Sequence, residues 1–325
     1  MKLATLYNAT PDGRLVLVSR DLSQAVDATA IAANLQQALD NWSETEPQLQ
    51  ALFAQLQAGT AANIFAFNPA DALAPLPRAW QWLDGSAFDC HGDLMCKVFG
   101  TDPIDTSERP LMYQGVSDCF YAATQDIPLP TEDDGIDFEG EFGVIVDEVP
   151  MSTCAESATQ HIRLIIQLND WSLRKLAPIE MKTGFGWVQA KPPCSVAPVA
   201  VTPDEVGDAW SDCRVALPLN VRWNNQQFGA ANGGAMSVGF HELVAHAART
   251  RKLVAGTVIG SGTVSNENYR EVGSSCIAER RGIEMEDLGE AKTEFMKFGD
   301  RIVMEAKTSE GKPLFGAIDQ QVVKA

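Results

Sequence analysis

The stretch that decides the fold is residues 136–147, Ile-Asp-Phe-Glu-Gly-Glu-Phe-Gly-Val-Ile-Val-Asp. Side chains alternate between the two faces of a β-strand, so Glu139 and Glu141 share one face and the apolar residues supply the other. At the rise of a strand, their Cα atoms lie roughly 6.6–7 Å apart. Carboxylates at this distance repel each other, and a divalent cation that both can reach removes the repulsion. The alternative is a solvated acidic face on an edge strand.

A third carboxylate follows a second apolar run. Residues 162–168 predict a buried strand, and the sequence then continues as Asn-Asp-Trp-Ser at 169–172. A carboxylate directly after a buried strand is held by the core and can point into a cleft, so Asp170 can join Glu139 and Glu141. Three hard oxygen donors favour Mg²⁺, Mn²⁺ or Ca²⁺ over zinc. Asp170 could instead serve as a helix cap or a turn residue.

Composition excludes several classes of protein. The chain has 325 residues, a length typical of about two domains, and a formal net charge of −18. Such a surface repels phosphate backbones and anionic lipid, so we expect no nucleic acid and no membrane as partner. The seven cysteines contain no Cys-x-x-Cys, which indicates free thiols in a reducing compartment. We find no export signal and no bilayer-spanning stretch, and we therefore expect a cytoplasmic protein.

The pattern along the chain predicts an α+β protein dominated by strands. Residues 3–18 read as a hairpin around Pro-Asp-Gly at 11–13, and residues 24–58 read as helical, with a capping box of Ser43 and Glu46. Prolines within 69–80 suggest a linker. The later texture is of short strands, with Asn-Asn at 224–225 as a hairpin turn and one amphipathic helix at 240–248. We expect a small α+β N-terminal domain over 1–80 and a larger domain over 81–325.

Three blocks in order resemble one known family. They are Asp-Phe-Glu-Gly-Glu at 137–141, Asn-Asp-Trp-Ser-Leu-Arg at 169–174 and Gly-Thr-Val-Ile-Gly-Ser-Gly at 256–262. In this spacing they resemble the fumarylacetoacetate hydrolase superfamily, over roughly residues 80–325. The resemblance implies a C-terminal domain of mixed β-sheets rolled around the active site, and a homodimer. It also implies one divalent cation, Mg²⁺ first among the candidates, held by Glu139, Glu141 and Asp170.

The resemblance also implies roles for further residues. Lys191 is the best match to the family lysine near the metal, with Lys182 as runner-up, and Arg174 matches an arginine that contacts substrate oxygens. The remaining matches are Thr257, Gly256 and Tyr113 as substrate-binding residues, Asp118 as a further metal ligand, and His91 with Asp93 as a base and its carboxylate partner. A His-containing segment of the fumarylacetoacetases is missing at 118–126, where this chain has no histidine.

These residues predict a metal-dependent hydrolase that cleaves a carbon–carbon bond in a β-diketo or acylpyruvate-type acid. The partner would be a small anionic oxo acid. The alternatives are a 2-oxo acid decarboxylase, hydratase or isomerase of the same superfamily, or a binding protein that keeps the fold without chemistry. Other charged residues read as structural or surface groups, namely His161, His241, His246 and the cluster Glu279-Arg280-Arg281.

Overall fold

The computed structural model describes residues 1–99 and 109–325. The strands are β1 (Lys2–Leu6), β2 (Arg14–Val18), β3 (Gln24–Asp27), β4 (Phe65–Ala66), β5 (Ala72–Leu73), β6 (Trp82–Gly85), β7 (Met112–Gly115), β8 (Ile127–Leu129), β9 (Ile136–Asp137), β10 (Gly140–Val146), β11 (Ile162–Asn169), β12 (Ser172–Leu173), β13 (Ser195–Val196), β14 (Ala200–Val201), β15 (Trp210–Ser211), β16 (Arg214–Val215), β17 (Pro218–Trp223), β18 (Gln226–Asn232), β19 (Val258–Gly260), β20 (Arg301–Ala306) and β21 (Ile318–Lys324).

The helices are α1 (Leu35–Asp40), α2 (Trp42–Gln57), α3 (Asp89–Phe99), α4 (Ala155–Ala158), α5 (Ala177–Met181), α6 (Pro203–Val206), α7 (Phe240–Ala247), α8 (Tyr269–Val272) and α9 (Ile277–Leu288). None of those lying in the described residues is long and apolar enough to cross a bilayer. With two mixed sheets and few long helices, the structure confirms the predicted strand-rich α+β class.

The larger sheet runs in the order β4-β3-β2-β1-β14-β11-β10-β19-β6-β7. Its central pair, β10 and β11, is antiparallel from Gly140 opposite Asn169 onward. On the other side of β10, β19 is antiparallel to β10 and parallel to β6. The N-terminal strands join this same sheet because β1 pairs with β14. The proposed boundary at residue 80 stays a prediction.

The two faces of β10 carry different kinds of residue, as the alternation predicts. Phe142 and Val144 are buried in the main core, together with residues of α7 and the smaller sheet β18-β17-β20-β21-β8. Ile145 faces a second core, which contains the buried faces of α1 and α2. Glu141 shares the parity of Ile145 but lies at the start of the strand. The alternation therefore places one fully buried carboxylate at the end of the central strand pair.

The predicted helix over 24–58 is wrong in its first third. Residues 24–27 form β3, which pairs with β2, and helical structure begins only at α1, where the side chain of Asn34 accepts the N–H of Gln37. Ser43 and Glu46 lie inside α2, so they do not form the predicted capping box. Pairing with β2 on one side and with β4 on the other, where Ala25 lies opposite Phe65, stabilises residues 24–27 as a strand, and the local pattern carries no sign of β4. The two hairpins are confirmed, and Asn224 and Asn225 both have positive φ.

Gly260 in β19 leaves the space that Asp84 in β6 occupies. A Cβ on Gly260 would clash with the ring of Trp82 and with the Asp84 carboxylate. Because the two strands are held in register on this sheet, neither side chain can move away without disturbing the core around it.

We expect Gly260→Ala to lower the free energy of unfolding by about 1–3 kcal/mol, because the added methyl overpacks a filled space. Urea denaturation measures the change. Gly92→Ala is the matched control: a Cβ at this position in α3 meets no atom within 4 Å, so alanine should leave stability unchanged or raise it. Equal stability of Gly260→Ala and the native chain would show that this space is not filled.

Candidate active site

Three buried carboxylates converge at one end of the larger sheet. Asp84 lies in β6, Glu141 in β10, and Asp170 directly after β11. One oxygen from each can be chosen so that all three lie within 4.8 Å of one another. The sheet order explains the meeting, since Gly140 pairs with Asn169 across β10 and β11, while β19 links β10 to β6. We call Asp84, Glu141 and Asp170 the carboxylate cluster.

The three carboxylates of the cluster differ in their partners: Asp170 and Asp84 accept hydrogen bonds, whereas Glu141 lacks the partners that a buried charge needs. Within the described residues, neither oxygen of Glu141 accepts a hydrogen bond. Burial, and then the charges of Asp84 and Asp170, raise the pKa of Glu141 well above its usual range. Burial and the charge of Asp170 raise the pKa of Asp84 in the same way. Unpaired buried carboxylates are costly, and a hard divalent cation with oxygen ligands removes that cost, so this donor set fits such an ion.

Two cationic side chains line one side of the carboxylate cluster. The Lys191 Nζ donates to Asp170 Oδ2 at 2.6 Å and to Glu139 Oε2 at 2.7 Å. Arg174 donates from Nη2 to Glu139 Oε1 at 2.5 Å and from Nε to Asp137 Oδ2 at 2.7 Å. Although burial opposes ionisation of Glu139, Arg174 and Lys191 hold the pKa of this carboxyl below its usual range. Burial opposes the charge on Lys191, yet Asp170 and Glu139 raise its pKa.

Glu139 therefore differs from its neighbour Glu141. The sequence predicts both as metal ligands, but in the structure Glu139 neutralises Arg174 and Lys191, and Asp84 completes the group of three converging carboxylates. The strand alternation correctly places the two glutamates near each other, since the charge of Glu139 contributes to the raised pKa of Glu141. A direct role of Glu139 as a ligand stays a prediction.

Aromatic side chains cover Lys191. The Tyr113 hydroxyl donates to Asp170 Oδ2 at 2.6 Å, and its ring meets that of Trp187 edge-on, with centroids 4.8 Å apart. The Lys191 Nζ lies 5.3 Å from the centroid of the Tyr113 ring and 5.4 Å from that of Trp187. Burial, then the charges of Asp170 and Asp84, raise the pKa of Tyr113. The ammonium of Lys191 is thus kept from bulk water and charged, beside the carboxylate cluster.

His91 in α3 has a carboxylate partner that the sequence did not suggest. Its Nδ1 lies 3.5 Å from Glu279 Oε1, and Glu279 is fully buried. Glu279 also accepts a hydrogen bond from the Ser265 hydroxyl. The predicted partner, Asp93, is exposed and is not paired with His91, so that pairing was wrong. His91 contributes to the lowered pKa of Glu139, after burial, Arg174 and Lys191, which places it within electrostatic reach of the site.

The packing of α3 against α9 explains the pairing of His91 with Glu279. Residues three apart lie on the same face of a helix, so His91 and Leu94 meet a face of α9 that contains Glu279 and Gly282. A Cβ on Gly282 would contact Leu94 at 3.3 Å. The absence of a side chain at Gly282 therefore lets the two helices approach closely enough for the imidazole to reach the glutamate.

Other predicted residues lie away from the carboxylate cluster. Thr257 and Gly256 bond through their backbones to Val146, five residues along β10 from Glu141, a distance of roughly 16 Å. Asp118 and Lys182 are exposed, whereas Lys191 is buried at the site. Thr257, Gly256 and Asp118 thus stay predictions without support from this geometry. The glycine-rich block does reach the site further on, where the Gly262 N–H donates to Asp84 Oδ1 at 3.0 Å.

Sequence reasoning missed Asp84 and Glu279. Asp84 follows the buried pair Trp82 and Leu83, as Asp170 follows a buried strand, and this shared signal could have found it. Glu279 was read as part of a solvated charged cluster, but it lies in the first turn of α9 and is fully buried. A cap residue at Cys276 followed by a glutamate three residues later is the only local hint.

Two family models match the chain. The model described as fumarylacetoacetate (FAA) hydrolase C-terminal matches residues 82–323, and fumarylacetoacetase N-terminal domain 2 matches residues 1–78. The chain belongs to the fumarylacetoacetate hydrolase family. The resemblance seen in the sequence blocks is confirmed.

One curated relative is similar to part of this chain. A 2,4-didehydro-3-deoxy-L-rhamnonate hydrolase from Sphingomonas sp. (strain SKA58) is 27% identical over 164 residues, which make up 50% of this chain and 54% of that protein. The match therefore spans about half the length of this curated relative. The substrate is not fixed by such a likeness.

Solved structures share the whole fold. Maleylpyruvate hydrolase from Sphingobium sp. SYK-6, in complex with manganese (II) ion and pyruvate, superposes with a TM-score of 0.68 at 17% identity, with 100% of both chains covered. A probable 2-hydroxyhepta-2,4-diene-1,7-dioate isomerase from Mycobacterium abscessus gives 0.69 at 15% identity, with 100% of this chain and 99% of that chain covered. The chain is an enzyme of the fumarylacetoacetate hydrolase family, and these two solved structures, which share its fold, are named for different reactions.

We expect Mg²⁺ or Mn²⁺ to displace protons from the carboxylate cluster. The raised pKa values of Asp84 and Glu141 mean that the metal-free protein holds protons there at a pH where free carboxylates are ionised. Metal affinity should therefore increase as pH rises towards neutrality. Titration calorimetry in buffers of different ionisation enthalpy measures the proton release.

In the same assay, Glu141→Gln should weaken metal binding by at least about tenfold. Asp118→Asn is the control because Asp118 is exposed. A pH-independent affinity, or a greater loss in Asp118→Asn than in Glu141→Gln, would contradict the assignment of the carboxylate cluster.

Proposed function

We propose that the protein is a divalent-metal-dependent hydrolase that cleaves a carbon–carbon bond in a β-diketo or acylpyruvate-type acid. The observation that carries this proposal is the carboxylate cluster with Lys191 on one side and the His91–Glu279 pair within electrostatic reach. The overall reaction adds water across the bond, so an acylpyruvate would give a carboxylic acid and pyruvate.

Asp84, Glu141 and Asp170 would hold the ion, which when bound supplies a Lewis acid for the substrate carbonyl. Lys191 adds a fixed positive charge beside the cluster. Because Asp170 and Glu139 keep Lys191 protonated, its ammonium can stabilise negative charge that develops on an enolate oxygen of the leaving group. This role needs no proton transfer from the lysine.

His91 is the proposed general base that activates water. Glu279 faces Nδ1 of His91, so it would favour the tautomer with a proton on Nδ1 and leave Nε2 free to accept one. The proton taken from water can then pass to the carbon of the departing enolate. Glu279 acts through His91 and is a positioning residue.

Arg174 and Tyr113 prepare the site in different ways. Arg174 joins Glu139 to Asp137, and Asp137 accepts the N–H groups of Ile277 and Ala278 at the start of α9. This chain of contacts connects the helix that carries Glu279 to the metal side of the site. We propose that the guanidinium and the Tyr113 hydroxyl also contact substrate oxygens.

The His91–Glu279 pair favours hydrolysis over decarboxylation. Decarboxylation of a 2-oxo acid needs the same electron sink and a proton for the enolate carbon but no activated water, so the proposed base role of His91 is used only in hydrolysis. A hydratase or isomerase, or a binding protein without chemistry, is distinguished by assay. The homodimer implied by the resemblance stays a prediction, which sedimentation velocity can test.

A substrate panel tests the proposal directly. The Mg²⁺-loaded protein is incubated with fumarylpyruvate, simple acylpyruvates and oxaloacetate, and the diketone absorbance and the products are followed. We expect loss of diketone absorbance with release of pyruvate. Carbon dioxide from oxaloacetate alone would favour the decarboxylase, and no turnover of any substrate despite bound metal would favour the binding protein.

We expect His91→Ala to lower kcat by about 10²- to 10⁴-fold, the usual contribution of a general base, with a smaller change in KM. Glu279→Gln should also lower kcat with a smaller change in KM, because the histidine loses the charge that orients it. Asp93→Asn is the matched control, since Asp93 is exposed on the same helix. A loss of activity in Asp93→Asn, with full activity in Glu279→Gln, would instead support Asp93 as the carboxylate partner of His91.

A further inference from the structure

A cavity of about 490 Å³ lies between β7 and the end of α7. Among the residues that line it are Arg109, His246, Arg249, Thr250 and Arg251. A concave, basic surface is unexpected on a chain with a net charge of −18. We call this feature the arginine cavity.

The arginines of this cavity are unpaired. In the part of the chain that the structure describes, the guanidinium groups of Arg109, Arg249 and Arg251 have neither an ion pair nor a hydrogen bond, and Arg222 is the one other arginine of which this is true. Since carboxylates outnumber Lys and Arg by 43 to 25, three unpaired guanidinium groups around one concavity are not explained by a shortage of acidic partners.

The pKa of His246 indicates that the charges of these arginines are near one another. Burial, and then the positive charges of Arg109 and Arg249, lower the pKa of His246 below its ordinary value. Both guanidinium groups are therefore within electrostatic reach of one imidazole. An anion between them would remove the mutual repulsion and offer each arginine a charge-assisted hydrogen bond.

The arginine cavity is on the opposite face of the sheet from the carboxylate cluster. Asp84 pairs with Tyr113 across β6 and β7, so both side chains share one face, and Leu83 pairs with Gln114 on the other. Leu83 and Gln114 line the cavity, and the neighbouring Gly85 faces Leu243 of α7. Tyr113 also borders the cavity, but its hydroxyl reaches Asp170 on the far side. The two sites thus lie on opposite faces of the same strands, and Tyr113 borders both.

We propose that the arginine cavity binds a small oxyanion with two negative charges, a phosphate or a dicarboxylate, at a site separate from the metal site. The guanidinium fork matches the oxygen geometry of both groups. The volume falls in the range of small-molecule sites. This inference does not depend on the reaction proposed above.

The test uses the full chain loaded with Mg²⁺. Inorganic phosphate, succinate and chloride are titrated by calorimetry and by thermal shift at low and high NaCl. We expect at least one of the two dianions to bind, to raise the melting temperature, and to lose affinity at high salt, while chloride at the same concentration has no such effect. Which dianion binds more tightly identifies the source of the oxyanion.

Variants locate the binding. Arg249→Gln with Arg251→Gln should weaken the dianion at least tenfold, whereas Arg222→Gln, an exposed and unpaired arginine elsewhere, should bind as the native chain does. If the double variant folds poorly, Arg109→Gln alone replaces it. Glu141→Gln should retain dianion binding, because the carboxylate cluster is on the other face. Undiminished binding in the arginine variants, or loss of binding in Glu141→Gln, would overturn the proposal.

Discussion

The active site buries more carboxylates than cations, and the rest of the structure depends on this imbalance of charge. Among the described residues, five carboxylates lie at 6% exposure or less around the site, Asp84, Asp137, Glu139, Glu141 and Asp170, against the cations Lys191 and Arg174. The two cations neutralise Glu139 and Asp137 and reach one oxygen of Asp170. The remaining negative charge is concentrated on Asp84 and Glu141, whose pKa values rise accordingly. A site of this kind is incomplete without a cation or bound protons.

Sheet order turns that local imbalance into a catalytic arrangement. The carboxylates come from β6, β10 and the end of β11, and β19, which lies between β6 and β10, carries a glycine where it faces Asp84. The proposed base, His91, is not on the sheet: it lies in α3, which packs against α9 and brings His91 to Glu279. Arg174 connects these parts through Asp137, which accepts the first N–H groups of α9. The negative charge of the Asp137 carboxylate is favourable at the N-terminus of α9, where the helix dipole is positive.

The sequence predicts a contact well when the two residues that make it are close along the chain, and poorly when they are far apart. Glu141 and Asp170 were found because the strand period and a position directly after a buried run carry their signal, and Lys191 was found through the family resemblance. The same local signals failed at residues 24–27, where pairing with the distant β4 as well as with β2 decides the structure, and at Glu279, which is buried although it stands in a run of charged residues. Asp93 looked like the partner of His91 because it is near in sequence. Glu279, which faces His91, is 188 positions away along the chain, and no local pattern encodes that contact.

The net charge of −18 is unevenly distributed, and the local charge has a different effect at each site. Over most of the surface it keeps polyanions away, and at the carboxylate cluster it prepares a cation site. At the arginine cavity the local sign is reversed, although the strands that line it also carry Asp84 and Tyr113 on their other face. The strands themselves carry no cation: the positive charge comes from Arg109, Arg249 and Arg251, which lie outside β6 and β7 and line the cavity beside Leu83 and Gln114. Tyr113 is the residue common to both surroundings, since its hydroxyl donates to Asp170 while it also borders the arginine cavity.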